Sequence, residues 1–235
     1  LAPTTRQKVR GHLEGHLIPA FDSMRLASIQ PRHVRDWIAQ MSDTGRSPTT
    51  IGGIASTLRR IMNTAVRDNV LGHSPCDGVE LPRNGPAAEI QVITPAEIVR
   101  LASAIHPRYE AAIYLAAYGG LRWGELAALR PERLDLRRGS IEVRESLADV
   151  SGALITQPPK SGKGRSVGLP RFLCDILNNH LGKFSSDDYM FTSPMGEPLR
   201  RSNWYRRDFK PAVVAAGINP GFRFHDLRHT CAALA

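Results

Sequence analysis

Apolar residues recur at helical spacing over roughly the first 70 positions of this chain, fall silent over residues 72–92, and then resume. In the silent interval Gly72, Ser74, Pro75, Gly78, Pro82, Asn84, Gly85 and Pro86 accumulate, and no apolar stripe survives. Such a stretch connects packed bodies more readily than it joins one. The expectation is therefore two domains: a helical domain at 1–80, a linker at 81–92 and a second domain at 93–235. With 235 residues there is enough chain for two buried cores.

The first segment reads as helices. Val9, Leu13 and Leu17 recur at four-residue steps, and Pro19 is expected to end that run. Pro31 opens a second helix with an apolar stripe of Val34, Trp37, Ile38 and Met41. Gly45-Arg46-Ser47-Pro48 is a turn in which Ser47 can cap a third helix, with Pro48 at its first position. That helix carries Ile51, Ile54, Leu58, Ile61, Met62 and Ala65 on its apolar face and stops near Gly72; Gly52-Gly53 weakens its first turn.

The second segment is mixed. Thr94-Pro95-Ala96-Glu97 is a capping box, and helical patterns continue through Ala128. Short strands are expected at Ser140–Glu145, Leu154–Gln157 and Ser166–Leu169, the last two forming a hairpin. Helices return at Arg171–Leu181, Asn203–Ala216 and from His225 onward. The fold class is mainly α with a small antiparallel β-sheet, an all-helical N-terminal domain preceding a mixed α+β domain.

Charge narrows the partner. There are 31 Lys+Arg against 22 Asp+Glu, a net +9, with an isoelectric point near 10.0. Up to residue 92 there are 11 basic and 8 acidic residues, and beyond it 20 and 14, so both segments are positive. A surplus spread along the chain suits a polyanion held by both segments rather than by one tail. Cys76, Cys174 and Cys231 are far apart and in no ligand spacing, against a disulfide framework or a zinc site and in favour of a reducing cytosol. His12 and His16 have metal-ligand spacing without a third ligand nearby and read as a helix surface; no metal and no cofactor is expected. No stretch approaches the roughly 20 apolar residues of a membrane span. The chain starts on Leu1 and stops within a helical pattern at Ala233-Leu234-Ala235, which reads as a piece of something longer.

Two boxes carry the chemistry. Phe224-His225-Asp226-Leu227-Arg228-His229-Thr230 places His225, Arg228 and His229 on one face of a helix start. An imidazole beside a guanidinium is suited to gripping a phosphate and moving a proton near it. Arg228 can alternatively form an ion pair with Asp226 or Glu125, and a buried, satisfied role suits His229. About a hundred residues upstream, Gly119-Gly120-Leu121-Arg122-Trp123-Gly124-Glu125-Leu126 adds an arginine with a carboxylate one turn later, so Glu125 can hold the Arg122 guanidinium. Trp123, flanked by apolar residues, reads as core. Between the boxes, Pro159-Lys160-Ser161-Gly162-Lys163-Gly164-Arg165 offers a lysine in a turn-rich segment.

Arginine, lysine, histidine and arginine in this order, within these contexts, resemble the tyrosine recombinase (phage integrase) family over most of the chain. The resemblance implies site-specific recombination: duplex DNA is cut and rejoined by transesterification through a 3′-phosphotyrosine intermediate. It implies Arg122, Lys160, His225 and Arg228 as catalytic residues, supported by Glu125 and His229, with Lys163 a rival for the lysine. The family's tyrosine follows the His-x-x-Arg box, whereas Tyr109, Tyr114, Tyr118, Tyr189 and Tyr205 all precede it and none of the seven residues after Arg228 is tyrosine. No nucleophile is therefore assigned in this chain, and Tyr205 is expected to pack in a helix presenting Arg206 and Arg207. DNA contacts are expected from Arg46, Ser47, Thr49 and Thr50 at a helix start, from Arg59 and Arg60 on that helix, and from Lys163, Arg165, Arg206 and Arg207.

The resemblance further implies that the two domains close around double-stranded attachment-site DNA. It implies a homotetramer on DNA (a monomer or weak oligomer when free), accessory DNA-bending proteins, no membrane, and a place in the cytoplasm of a bacterial host near the nucleoid. Two other readings share these residues: a catalytically inactive DNA-binding regulator derived from an integrase, and a type IB topoisomerase-like enzyme.

Overall fold

The computed structural model describes residues 1–86, 89–160, 162–184 and 188–234. Two residues of the expected linker (87 and 88), Ser161 of the lysine segment, and the terminal Ala235 lie outside the described residues. The chain divides into two compact units, Leu1–Ala88 and Glu89–Ala235.

The first unit is all helical. Helix α1 (Pro3–His12) runs through a π-helical turn, Leu13–Leu17, into α2 (Ile18–Phe21). Pro19 thus does not end the run, contrary to the sequence expectation. Proline has no N–H to donate and its ring displaces the carbonyl four residues back; a widened turn just before it relieves both problems. The same device recurs at Pro211. Helices α3 (Pro31–Asp43) and α4 (Pro48–Arg67) complete the unit. Ser47 Oγ accepts the Thr50 N–H at 3.3 Å and caps α4 despite the two glycines in its first turns. A Cβ at Gly53 would meet the His12 ring at an ordinary contact distance of 3.8 Å, so close packing does not require glycine there. His12, read as surface, instead places Nδ1 2.7 Å from Thr57 Oγ1 on α4. Leu17, Val34, Trp37, Ile38, Met41, Ile51, Ile54, Leu58 and Met62 form the core, and Cys76 and Val79 pack into it. Ile61 is exposed rather than on the apolar face.

The second unit mixes helices with small antiparallel sheets. Helices α5 (Pro95–Ala104), α6 (Pro107–Gly119) and α7 (Trp123–Ala127) come first. Thr94 Oγ1 accepts the Glu97 N–H while Glu97 Oε2 accepts the Thr94 N–H at 2.8 Å, the reciprocal cap that starts α5. Strands β1 (Leu134–Asp135), β2 (Ser140–Val143) and β5 (Arg165–Gly168) form one sheet in the order β1-β2-β5, and β3 (Ser146–Val150) pairs with β4 (Ala153–Gln157) in another. The hairpin expected between 154–157 and 166–169 is therefore corrected. β4 turns back on β3 through Ser151 (φ 53°) and Gly152 (φ 84°), the left-handed pair that a two-residue hairpin turn requires. β5 pairs with β2, with Val143 opposite Arg165.

Helix α8 (Arg171–Lys183) follows, then α9 (Arg201–Trp204) continuing through a π-helical turn, Tyr205–Phe209, into α10 (Lys210–Ala215), and finally α11 (Phe224–Leu234). Helix α6 is buried along most of its length. Beside it, Trp204 gathers Trp123, Phe209, Phe224 and Tyr109 with ring centroids 4.8–5.9 Å away. Tyr205 packs on Phe209 at 5.5 Å. The aromatic cluster sits beneath both boxes, since Trp123 follows Arg122 and Phe224 precedes His225.

Candidate functional site

Local geometry at the first box follows from its glycines. Helix α6 stops at Gly119, and Gly120 takes a left-handed conformation (φ 60°, ψ 33°) that turns the chain toward α7. Arg122 sits at the N-cap of α7 in extended backbone, with Glu125 three residues in. Glu125 Oε2 accepts the Arg122 backbone N–H at 3.0 Å, and Oε1 accepts from the Arg122 guanidinium at 3.0 Å. A Cβ on Gly124 would lie 2.4 Å from Ser146 Oγ and 2.7 Å from the Leu147 carbonyl, so α7 rests directly on β3.

A second arginine closes on the same carboxylate. Arg165, from β5, donates Nη1 to Glu125 Oε1 at 3.0 Å and Nη2 to Oε2 at 2.7 Å. Glu125 is only 2% exposed. Burial alone would raise its pKa; the hydrogen bonds from Arg165 and then Arg122 outweigh it and hold the carboxyl at about 2. Arg165 was expected among the DNA contacts; in the structure both its terminal nitrogens donate to the buried carboxylate of Glu125.

The second box starts α11. Asp226, 1% exposed, accepts the Arg223 backbone N–H at 2.7 Å and the Arg223 guanidinium at 3.1 and 2.8 Å. Asp226 therefore pairs with Arg223, not with Arg228. Arg228 donates to the carbonyl of Gly120, which ties α11 to the end of α6 two residues before Arg122. Thr230 Oγ1 donates to the Asp226 carbonyl and accepts the Ile93 N–H at 3.3 Å, securing the helix from its other side.

These anchors collect the charges. Burial, then Arg122 and Arg165, lowers the Arg228 pKa. Burial, then His229 and Arg228, with Arg122 adding to them, lowers that of His225 and favours a neutral imidazole. The His225 ring is exposed and lies 5.0 Å from the His229 ring at 88°. His229, expected to be buried and satisfied, is half-buried, and its ring meets that of His225. Arg122, Glu125, Arg165, His225, Arg228 and His229 thus occupy one neighbourhood in which positive charge exceeds negative. It can hold an anion with several geometrically fixed donors, and a neutral imidazole beside them can exchange a proton.

Other predicted residues lie elsewhere. Lys160 and Lys163 are both exposed on the crossover from β4 to β5, and the geometry does not choose between them. Arg206 and Arg207 are exposed on the π-helical turn between α9 and α10. In the first unit Arg46, Arg59 and Arg60 are exposed. The hydroxyls beside Arg46 have internal partners: Ser47 with Thr50 at 2.8 Å, and Thr49 donating to Asn84 Oδ1 at 2.8 Å. Sequence reading missed the Arg223–Asp226 pair, whose i, i+3 spacing before a helix is a readable signal. It also missed the Arg165–Glu125 fork, which spans 40 positions and leaves no local signal.

Comparison with known proteins identifies the family to which this fold and cluster belong. The model of the phage integrase family matches residues 91–234, and that of the phage integrase N-terminal SAM-like domain matches residues 1–42. The chain belongs to the phage integrase family. It is 32% identical over 241 residues to a prophage phiRv2 integrase of Mycobacterium tuberculosis, aligning 98% of this chain with 62% of that protein. It is 27% identical to the integrase of Mycobacterium phage L5, aligning the whole chain with 64% of that protein. The chain thus spans about three fifths of the length of these relatives. Among solved structures, a Tn1549 transposon integrase in complex with transposon right end DNA superposes with a TM-score of 0.84 at 18% identity, over 98% of this chain and 80% of that one. A lambda integrase dimer bound to a COC′ core site gives 0.73 at 17%, over 100% and 65%. At these identities the structural likeness concerns the fold.

Proposed function

We propose that the protein is a site-specific DNA recombinase of the phage integrase type, in which residues 1–80 form a core DNA-binding domain and residues 93–235 belong to the catalytic domain. The observation that carries this reading is the convergence of Arg122 and Arg228, from boxes about a hundred residues apart, with Arg122 held by buried Glu125 and Arg228 tied to Gly120. In the reaction a tyrosine oxygen bonds to a backbone phosphorus while the bond to the 5′ oxygen breaks, and that oxygen takes a proton. Charge develops on the nonbridging oxygens, where two prepositioned guanidinium groups stabilise it without reorganising. His225, kept neutral, is available to accept or pass a proton, and Lys160 (or Lys163) is the proposed donor to the leaving oxygen. Double-stranded attachment sites are the proposed substrate, bound by a homotetramer with DNA-bending accessory proteins. Among the described residues no helix is long and apolar enough to cross a membrane.

The test is a suicide duplex that traps the covalent intermediate, applied to the protein read through its natural reading frame. Arg122→Ala or Arg228→Ala is expected to lower adduct formation by at least about 100-fold while DNA is still bound. Parental adduct yield in either variant refutes the assignment. A parent that binds DNA and never forms an adduct supports the inactive regulator instead.

A further inference from the structure

We propose that Arg165 is a positioning residue for Arg122, acting through Glu125, and that it registers the lysine-bearing crossover to the arginine pair. The inference rests on the reading of Arg122 as a phosphate-gripping group. Each oxygen of Glu125 is shared. Oε1 accepts from the guanidinium groups of Arg122 and Arg165, both at 3.0 Å, and Oε2 accepts from the Arg122 backbone and Arg165 Nη2 at 3.0 and 2.7 Å. Arg122 holds each oxygen by one bond from its own helix start, and the two-pronged fork from Arg165 adds a second bond to each from a separate strand, which fixes the carboxylate plane against β5 as well. Fixing that plane fixes the direction in which Arg122 is pulled, so the aim of Arg122 is set from β5 as well as from its own helix.

The base of the fork is itself rigid. Arg165 pairs with Val143 in the sheet, and a Cβ on the preceding Gly164 would lie 3.0 Å from Arg144 Cδ and 3.2 Å from the Val143 carbonyl. The strand therefore enters the sheet at close quarters, and Lys160 leaves the same segment five residues earlier. Both terminal nitrogens of Arg165 donate to Glu125, and its proposed influence on Arg122 runs through that carboxylate. The low pKa of Glu125 agrees with this arrangement.

The experiment is a double-mutant cycle on duplex binding by this chain at fixed salt, with the Glu125 side-chain carboxyl followed by 13C NMR against pH. Arg122→Ala is expected to weaken binding about 10-fold. Arg165→Ala is expected to weaken it about 3- to 10-fold alone but less than about 2-fold in the Arg122→Ala background, since it acts through the residue already removed. The Glu125 carboxyl should rise from about 2 toward its ordinary 4.5 in Arg165→Ala. Arg165→Lys, which keeps the charge and loses the fork, should restore less than half of the loss; it also replaces the alanine variant if that chain does not fold. Additive losses, with a salt slope shallower by about one in Arg165→Ala, would show a direct phosphate contact and overturn the proposal. Parental affinity in Arg122→Ala would refute the phosphate reading instead, and an unmoved Glu125 titration in Arg165→Ala would refute the link itself.

Discussion

A buried carboxylate between two arginines stays in place because each charge there compensates another. Taking Glu125 out of water is costly, and the hydrogen bonds from Arg165 and Arg122 offset that cost only while the carboxyl is ionised. Its folded pKa, about 2, lies below the ordinary 4.5. The stabilising contribution is therefore complete above the ordinary value and is lost as pH falls from 4.5 toward 2. The shift corresponds to roughly 3 kcal/mol. Glu125→Gln should destabilise the second unit by about 3–5 kcal/mol at neutral pH, because two guanidinium groups lose their counter-charge. The variant should also show a shallower loss of stability between pH 4.5 and 2, measured by urea unfolding at a series of pH values. A parental acid profile would show that Glu125 is not the group responsible. At this scale, the Arg122–Glu125 contact was legible as an i, i+3 pair. Its second arginine was not, since only the β2–β5 pairing carries Arg165 to it.

At the scale of elements, the site depends on how closely α7 approaches β3. Gly124 is the point of contact, with Ser146 Oγ and the Leu147 carbonyl occupying the space a side chain would need. Ser146 can rotate away, but the Leu147 carbonyl is backbone and cannot yield without moving the strand. Gly124→Ala is therefore expected to cost about 1–3 kcal/mol by chemical denaturation, although alanine is the better helix former. Unchanged or increased stability would mean that α7 does not lie on β3 in this way. Helix starts were readable here because their signals are local: Ser47 before Pro48, and Thr94 with Glu97, act within one turn. Strand pairing was not. Which of β2 and β4 accepts β5 depends on the turn at Ser151-Gly152 and on packing remote in sequence, and local alternation is blind to both.

For the whole molecule the dominant observable is charge. Both segments carry a positive surplus within a net +9, and arginines are exposed on each unit: Arg46, Arg59 and Arg60 on the first, Arg206 and Arg207 on the second. If about five phosphates are neutralised, log K for duplex binding should fall with log salt at a slope of roughly −4 to −5. Titrations between 50 and 200 mM salt measure this directly, and weak binding insensitive to salt would contradict a DNA-gripping surface. The slope counts phosphate contacts and so reads the molecule as a whole; no single arginine is expected to move it by more than about one.

From the residues alone came the helical character of the first segment, the mixed second segment, and the two boxes with their arginines, because periodicity, caps and motif order are written within a few turns of chain. Tertiary structure alone decided what those residues touch. It gave Asp226 to Arg223, tied Arg228 to Gly120, and set Arg165 on Glu125. It carried α2 past Pro19 and turned β4 back on β3. The reason is physical: local propensity acts over a few residues, whereas a buried charge must find its counter-charge wherever packing brings one within hydrogen-bonding distance.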